Sequence, residues 1–138
     1  MSELLYKDEV FKLVGLCMEI HRELGKGHDE IIYKDALTVE LQRAQIPFSR
    51  ELKYEITYKG VILPHYYHAD FVISDKILFE GKAAEKLTDA HKKQVLNYLA
   101  ASKLELGLLV NFGGDSLEWK RVVLSGQRPQ PLVTDFRL

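Results

Sequence analysis

Cysteine is nearly missing from this chain. Cys17 is the only one in 138 residues, so no disulfide can close within it, and a reducing, cytoplasmic setting is expected. Cys17 also falls on the apolar face of an expected helix, which makes it core filler and not a nucleophile. Long hydrophobic runs are missing as well: nothing approaches the roughly 20 residues of a spanning helix, so a membrane protein is not expected. The opening MSELLYKDEV lacks the basic-then-apolar order of a signal peptide. There is no glycine-rich phosphate loop and no serine-centred nucleophile motif. Charge of one sign is absent too. Lys and Arg number 19 against 20 Asp and Glu, a net charge of −1, so no overall basic face advertises nucleic-acid binding. Lys86, His91, Lys92, Lys93 and Lys103 could still form a local one.

What is present is the composition of a globular domain, 46% hydrophobic and 28% charged. The length suits one domain with a real core and is short for two. Residues 1–125 are expected to form that domain, and residues 126–138, with two prolines and little periodicity, an extended C-terminal tail.

Helical spacing of Val10, Leu13, Val14, Cys17 and Leu24 predicts a helix over about 4–24, ended by Gly25 and Gly27. Asp29 can cap a second helix over about 30–44, whose buried face would carry Ile32, Ala36 and Val39, with Leu37 beside them. After Pro47 the pattern turns strand-like. Leu52, Tyr54, Ile56 and Tyr58 alternate with polar residues, and Lys59-Gly60 makes a hairpin turn into a short strand at 61–63. HADFVI and KILFEGKA follow as two apolar strands joined by Ser74-Asp75. Thr88 then caps a helix over 89–102, residues 106–112 form a buried strand, and LEWKRVVL forms another after Gly113-Gly114. The strand–helix–strand unit from Ile77 to Phe112 has the length of a right-handed parallel crossover. The expected class is therefore α/β, a mixed β-sheet flanked by helices.

The candidate chemistry lies between Asp70 and Lys82. E-x-K occurs three times, at Glu51-Leu52-Lys53, Glu80-Gly81-Lys82 and Glu118-Trp119-Lys120. Only Glu80 follows an apolar strand bearing an aspartate and precedes a crossover helix. Leu78, Glu80 and Lys82 share one strand face, while Asp70 lies with His68 and Tyr66, opposite Ala69, Phe71 and Ile73. Two carboxylates beside an amine can hold a divalent cation next to a phosphate. They can equally form a salt-bridge cluster of Asp70, Glu80 and Lys82, and on these residues alone both readings stand. Gln94 and Tyr98, four apart on the next helix, share a face that could orient a water or a phosphate, or simply edge the helix interface. Glu30 sits in a first helical turn, where a carboxylate is favoured anyway, and could be a third acid facing the sheet. A zinc site of His65 and His68 with His21 or His28 is disfavoured, since His65 and His68 would point to opposite sides of an extended segment.

Gly27, Glu30 and Tyr33 form a G-x-x-E-x-x-Y signature. With Tyr58-Lys59-Gly60, Tyr67-His68-Ala69-Asp70, Glu80-Gly81-Lys82, Gln94 to Tyr98 and Gly107 to Gly113, it resembles the small prokaryotic GxxExxY family over about residues 10–123. That family is placed among the PD-(D/E)xK nuclease-like proteins. The resemblance implies a restriction-endonuclease-like core, with Asp70 and Glu80 as ligands of Mg²⁺ (or Mn²⁺) and Lys82 orienting water or stabilising charge on the phosphate. Glu30 would complete the site, and Gln94 with Tyr98 resembles the Q-x-x-x-Y element of RecB-like nucleases. Nucleic acid, DNA or RNA, would be the substrate, and cleavage of a duplex would suit a homodimer. The alternative is a catalytically inactive binding or assembly module of the same fold, for nucleic acid or a protein partner. Two positions depart from the family pattern: Gly81 replaces an apolar strand residue, which either weakens the strand locally or eases close approach of a backbone or ligand, and His68 stands where arginine is frequent.

Overall fold

Two helices open the fold, α1 (Lys7–Leu24) and α2 (Glu30–Arg43), followed by strands β1 (Phe48–Tyr58), β2 (Val61–Ile73) and β3 (Ile77–Lys82). Helix α3 (Asp89–Ser102) then leads to β4 (Leu106–Asn111) and β5 (Glu118–Val123). The computed structural model describes residues 4–124, and the expected tail at 126–138 lies outside them. The strands form one sheet in the order β1-β2-β3-β4-β5. Only β3 and β4 run parallel, which makes the β3–α3–β4 unit the expected crossover. Among the described residues no helix is long and apolar enough to cross a membrane.

Local chemistry accounts for most boundaries. Gly25 closes α1 with φ 70°, and its N–H donates to the His21 carbonyl. Val10, Leu13, Val14, Cys17 and Ile20 form the buried stripe of α1, and burial pushes the Cys17 thiol pKa up, keeping it protonated. Lys59 and Gly60 both take positive φ, the backbone that a two-residue hairpin matching strand twist requires. Thr88 caps α3 as expected: its Oγ1 accepts from the His91 N–H while His91 Nδ1 accepts from the Thr88 N–H.

The buried stripe of α2 differs from the expectation. Tyr33, Leu37 and Leu41, spaced four apart, face the core, whereas Ile32 and Val39 are exposed. Tyr33 sets that rotation. Its ring stacks on Phe112 at 4.7 Å, and its hydroxyl donates to the Gly25 carbonyl at 2.6 Å. Asp29 occupies the N-cap position, but its side chain makes no capping bond.

Each face of the sheet has its own core. Residues of α1 and α2 pack with Phe71, Ile73, Phe79, Leu108 and Val110. Val95 and Leu99 of α3 pack with Val72, Leu78, Leu109 and Val122 on the other face. Gly107 permits that approach, because a Cβ there would meet Val95 Cγ1 at 2.5 Å.

The β1–β2 hairpin changes face partway along. Phe71 joins the α1/α2 cluster, yet Ala69, two residues earlier, joins the α3 cluster. Phe48 and Tyr54 divide the same way on β1. Regular alternation would keep each pair together, so the expected grouping of Ala69 with Phe71 fails. The break falls where Glu51, at φ 56°, lies between the paired steps Arg50↔Phe71 and Leu52↔Ala69, and therefore opposite Asp70.

Candidate active site

The β2–β3 ladder runs from Ile73↔Ile77 through Val72↔Leu78 to Phe71↔Phe79 and stops. One more step would set Asp70 opposite Glu80. There the carboxylates take over the backbone donors: the Asp70 N–H donates to Glu80 Oε2 at 2.8 Å, and the Gly81 N–H donates to Asp70 Oδ2 at 2.9 Å. Both acids are buried, Asp70 8% and Glu80 3% exposed. Asp70 Oδ1 accepts from Lys34 Nζ at 3.0 Å. Among the described residues, Glu80 Oε1 makes no hydrogen bond. Burial, and then the neighbouring charge of Asp70, push the Glu80 pKa up to about 8. The site holds more negative charge than its own surroundings compensate.

Lys82 makes no ion pair with either acid. Its ammonium donates to Gln94 Oε1 at 2.7 Å, so α3 fixes the E-x-K lysine through the predicted glutamine. The expected salt-bridge cluster of Asp70, Glu80 and Lys82 is not formed; Asp70 pairs instead with Lys34 on α2. Lys34 Nζ also lies 3.4 Å from Glu51 Oε2. Burial opposes the Lys34 charge, but the hydrogen bond and field of Asp70, with Glu51, outweigh it and hold the lysine pKa above normal. Tyr98 lies one turn beyond Gln94, its ring 4.9 Å from that of Tyr67. Desolvation, then the fields of Glu80 and Asp70, raise its pKa to about 12, so its hydroxyl keeps its proton.

Asp70, Glu80, Lys82, Gln94 and Tyr98 thus gather around the parting of β2 and β3. Glu30 is not gathered with them. It stands exposed in the first turn of α2, and among the described residues no three His, Cys, Asp or Glu side chains form a metal-holding group. Lys34, one turn further along α2, takes the place beside Asp70. His21 and His28 each meet a backbone carbonyl, of Gly114 and Leu24 respectively. The basic cluster divides: Lys86, Lys92 and Lys93 lie near the start of α3, while Lys103 caps its far end, about 16 Å along the axis from Lys92.

Three contributors were not foreseen. Lys34 carries no motif, and Glu51 heads an E-x-K that lacks an aspartate on a preceding strand; it becomes visible only when the hairpin register sets it opposite Asp70. Asn111 had a signal, an amide inside the apolar run LGLLVNF, because a buried amide must find partners. It is fully buried. Its Oδ1 accepts from the N–H groups of Ala84 and Gly113, and its Nδ2 donates to the Ala84 carbonyl. Glu118 Oε1 accepts from Asn111 Nδ2 and from the Leu87 N–H. Together they pin the segment that carries the chain from Lys82 to α3. Gly81 needs no special freedom, since a Cβ there would meet Phe79 at an ordinary 3.4 Å.

Residues 7–122 match the family model of the PD-(D/E)XK nuclease superfamily. The chain belongs to that superfamily. Glu80-Gly81-Lys82 has the form of a (D/E)XK element, and Ala69 precedes Asp70 where a PD pattern would have proline. Ala69 is fully buried in the α3-side core. The solved crystal structure of SSO0001 has a similar fold, with a TM-score of 0.57 and 22% sequence identity over 86% of this chain. The chain spans 57% of the length of that structure. No curated protein matches the chain.

Proposed function

We propose that the protein is a divalent-cation-dependent phosphodiesterase of nuclease type, with Mg²⁺ (or Mn²⁺) as the ion and DNA or RNA as the substrate. The observation that carries this reading is the pair of buried carboxylates at the β2–β3 parting, one with an oxygen left without a hydrogen bond, beside a lysine held by Gln94. The residues fit such an ion. Carboxylate oxygens are hard donors, and the raised Glu80 pKa marks negative charge that a cation would compensate. Asp70 and Glu80 would hold the ion, which would supply Lewis-acid activation of water and neutralise phosphate charge.

Lys82 would stabilise negative charge developing on the phosphate oxygens, or orient the attacking water, with Gln94 fixing its ammonium. Tyr98, protonated at neutral pH, would donate a hydrogen bond to a phosphate oxygen. Glu30, exposed one turn before Lys34, would contribute from outside the buried pair, and duplex cleavage would draw on two copies of the chain. Purified protein with Mg²⁺ or Mn²⁺ should cleave single- or double-stranded DNA or RNA. Glu80→Ala and Lys82→Ala should abolish cleavage, with Glu30→Ala milder. Intact substrates throughout, or equal cleavage by the variants, would refute the enzyme reading.

The Lys34–Asp70 pair favours a second reading, a nuclease-like binding module whose site is neutralised by its own lysine. It predicts that nucleic acid is bound without turnover and that binding survives Glu80→Ala.

A further inference from the structure

Beside Asp70 sit a lysine and a second acid, Lys34 and Glu51, to which the proposed chemistry gives no role. Lys34 Nζ lies 3.0 Å from Asp70 Oδ1 and 3.4 Å from Glu51 Oε2. Its side chain is 13% exposed, whereas that of Glu51 is 51% exposed. Glu51 owes its position to a left-handed backbone, φ 56°, at the point where the hairpin changes face. A non-glycine residue there is an uncommon conformation, and the neighbouring fold must hold it.

A cation held by Asp70 and Glu80 would meet Lys34 directly. An ammonium hydrogen-bonded to Asp70 occupies one of the oxygens the cation would use, and repels it at close range. The lysine need not be driven into solvent, because Glu51 already lies beside it. We propose that Lys34 is a resident counter-ion of the cation-free site, and that an entering divalent cation displaces its ammonium from Asp70 onto Glu51. Lys34 and Glu51 are then positioning residues that set how tightly the cation binds, and neither is a cation ligand. This inference rests on the proposed cation site.

Mn²⁺ binding to the full chain, measured by titration calorimetry, tests it without reference to cleavage. Lys34→Gln, which keeps a hydrogen-bond donor but removes the charge, should bind Mn²⁺ at least about tenfold more tightly than the unaltered protein. Lys34→Arg, whose planar fork grips a carboxylate more firmly, should bind it more weakly. Glu51→Gln should weaken binding by about threefold or more in the unaltered background, where Lys34 loses its destination, and leave it unchanged beside Lys34→Gln. If Lys34→Gln does not fold, the Lys34→Arg comparison still decides. Equal or weaker binding by Lys34→Gln, or equal or tighter binding by Lys34→Arg, overturns the displacement. Weakening by Glu51→Gln in both backgrounds overturns it too, because Glu51 would then be a ligand. Absence of any Mn²⁺ binding in the unaltered protein overturns the cation site itself, and is distinct from an unaltered protein that binds while its Lys34 variants bind identically.

Discussion

The buried Glu80 carboxyl gives the cation-free protein a specific dependence on pH. Its pKa is 4.5 in the unfolded chain and about 8 in the fold. Between those values the folded protein holds a proton that the unfolded chain has released, so stability must fall as pH rises. The contribution is fully present below about pH 4.5 and is lost as pH climbs through about 8. Within that window each pH unit costs about 1.4 kcal/mol. Raising the pH from about 5.5 to about 7.5 should therefore cost roughly 2–3 kcal/mol, a fall in Tm of roughly 6–12 °C for a domain of this size. Glu9 and Asp115 do not blur the signal. The Lys76 hydrogen bond lowers the first and the Lys26 hydrogen bond the second, so both titrate at acid pH, below the window. The assay is thermal or urea unfolding in EDTA across pH 5 to 8, on the unaltered protein and on Glu80→Gln. Glutamine keeps an acceptor for the Asp70 N–H and carries no charge, so the variant should show a flat profile and be the more stable protein at pH 7.5. Parallel profiles for the two proteins would refute the claim that Glu80 is the uncompensated charge.

Four other substitutions probe the frame of the site. Gly113→Ala should destabilise by about 2 kcal/mol or more, because its Cβ would lie 2.3 Å from the Ala84 carbonyl oxygen, whereas Gly81→Ala should stay within about 1 kcal/mol in urea unfolding. Asn111→Leu should cost roughly 2–4 kcal/mol by the same measurement, since the N–H and carbonyl of Ala84 and the Gly113 N–H all lose their partner. Gln94→Leu should leave Mn²⁺ affinity unchanged while slowing cleavage by about tenfold or more, because it frees Lys82 without touching either acid; an unchanged rate would remove Gln94 from the site.

The order of elements was legible, except that the short strand expected at 61–63 is continuous with HADFVI in β2, because each rests on local chemistry: Gly25 after α1, Lys59-Gly60 in the hairpin, and Thr88 with His91 ahead of α3. So was the convergence of Asp70, Glu80, Lys82, Gln94 and Tyr98, since a crossover that follows Lys82 must return α3 over the same strand end. The rotation of α2 was less legible. Ile32 and Val39 are as apolar as Leu37, and only the tertiary hold of Phe112 and Gly25 on Tyr33 decides which stripe turns inward. Tyr33 and Gly27 of the G-x-x-E-x-x-Y signature thereby acquire structural roles. Tyr33 fastens α2 to the end of α1, and Gly27 takes a φ of 104° in the connection. Lys34 was invisible for a simple reason. A lysine on a helix is ordinarily a solvated residue, and nothing local indicates that this one reaches across to β2.

The change of face in the β1–β2 hairpin is the step that turns strands into a site. A hairpin with uninterrupted alternation would leave Ala69 and Phe71 in the same core and carry the β2–β3 ladder onward, with its backbone donors paired to strand carbonyls. Because both strands switch faces at Glu51 and Asp70, that ladder ends one step early. The two backbone donors released there are satisfied by the two carboxylates, and this makes burying both acids tolerable. It does not make it free, since two N–H groups and one lysine leave Glu80 with a pKa near 8. The remaining imbalance is the property on which cation binding would draw. Substitutions that restore regular pairing at Glu51 and Asp70 should therefore stabilise the sheet and weaken the site together, a trade expected where charge is buried for function and not for the fold.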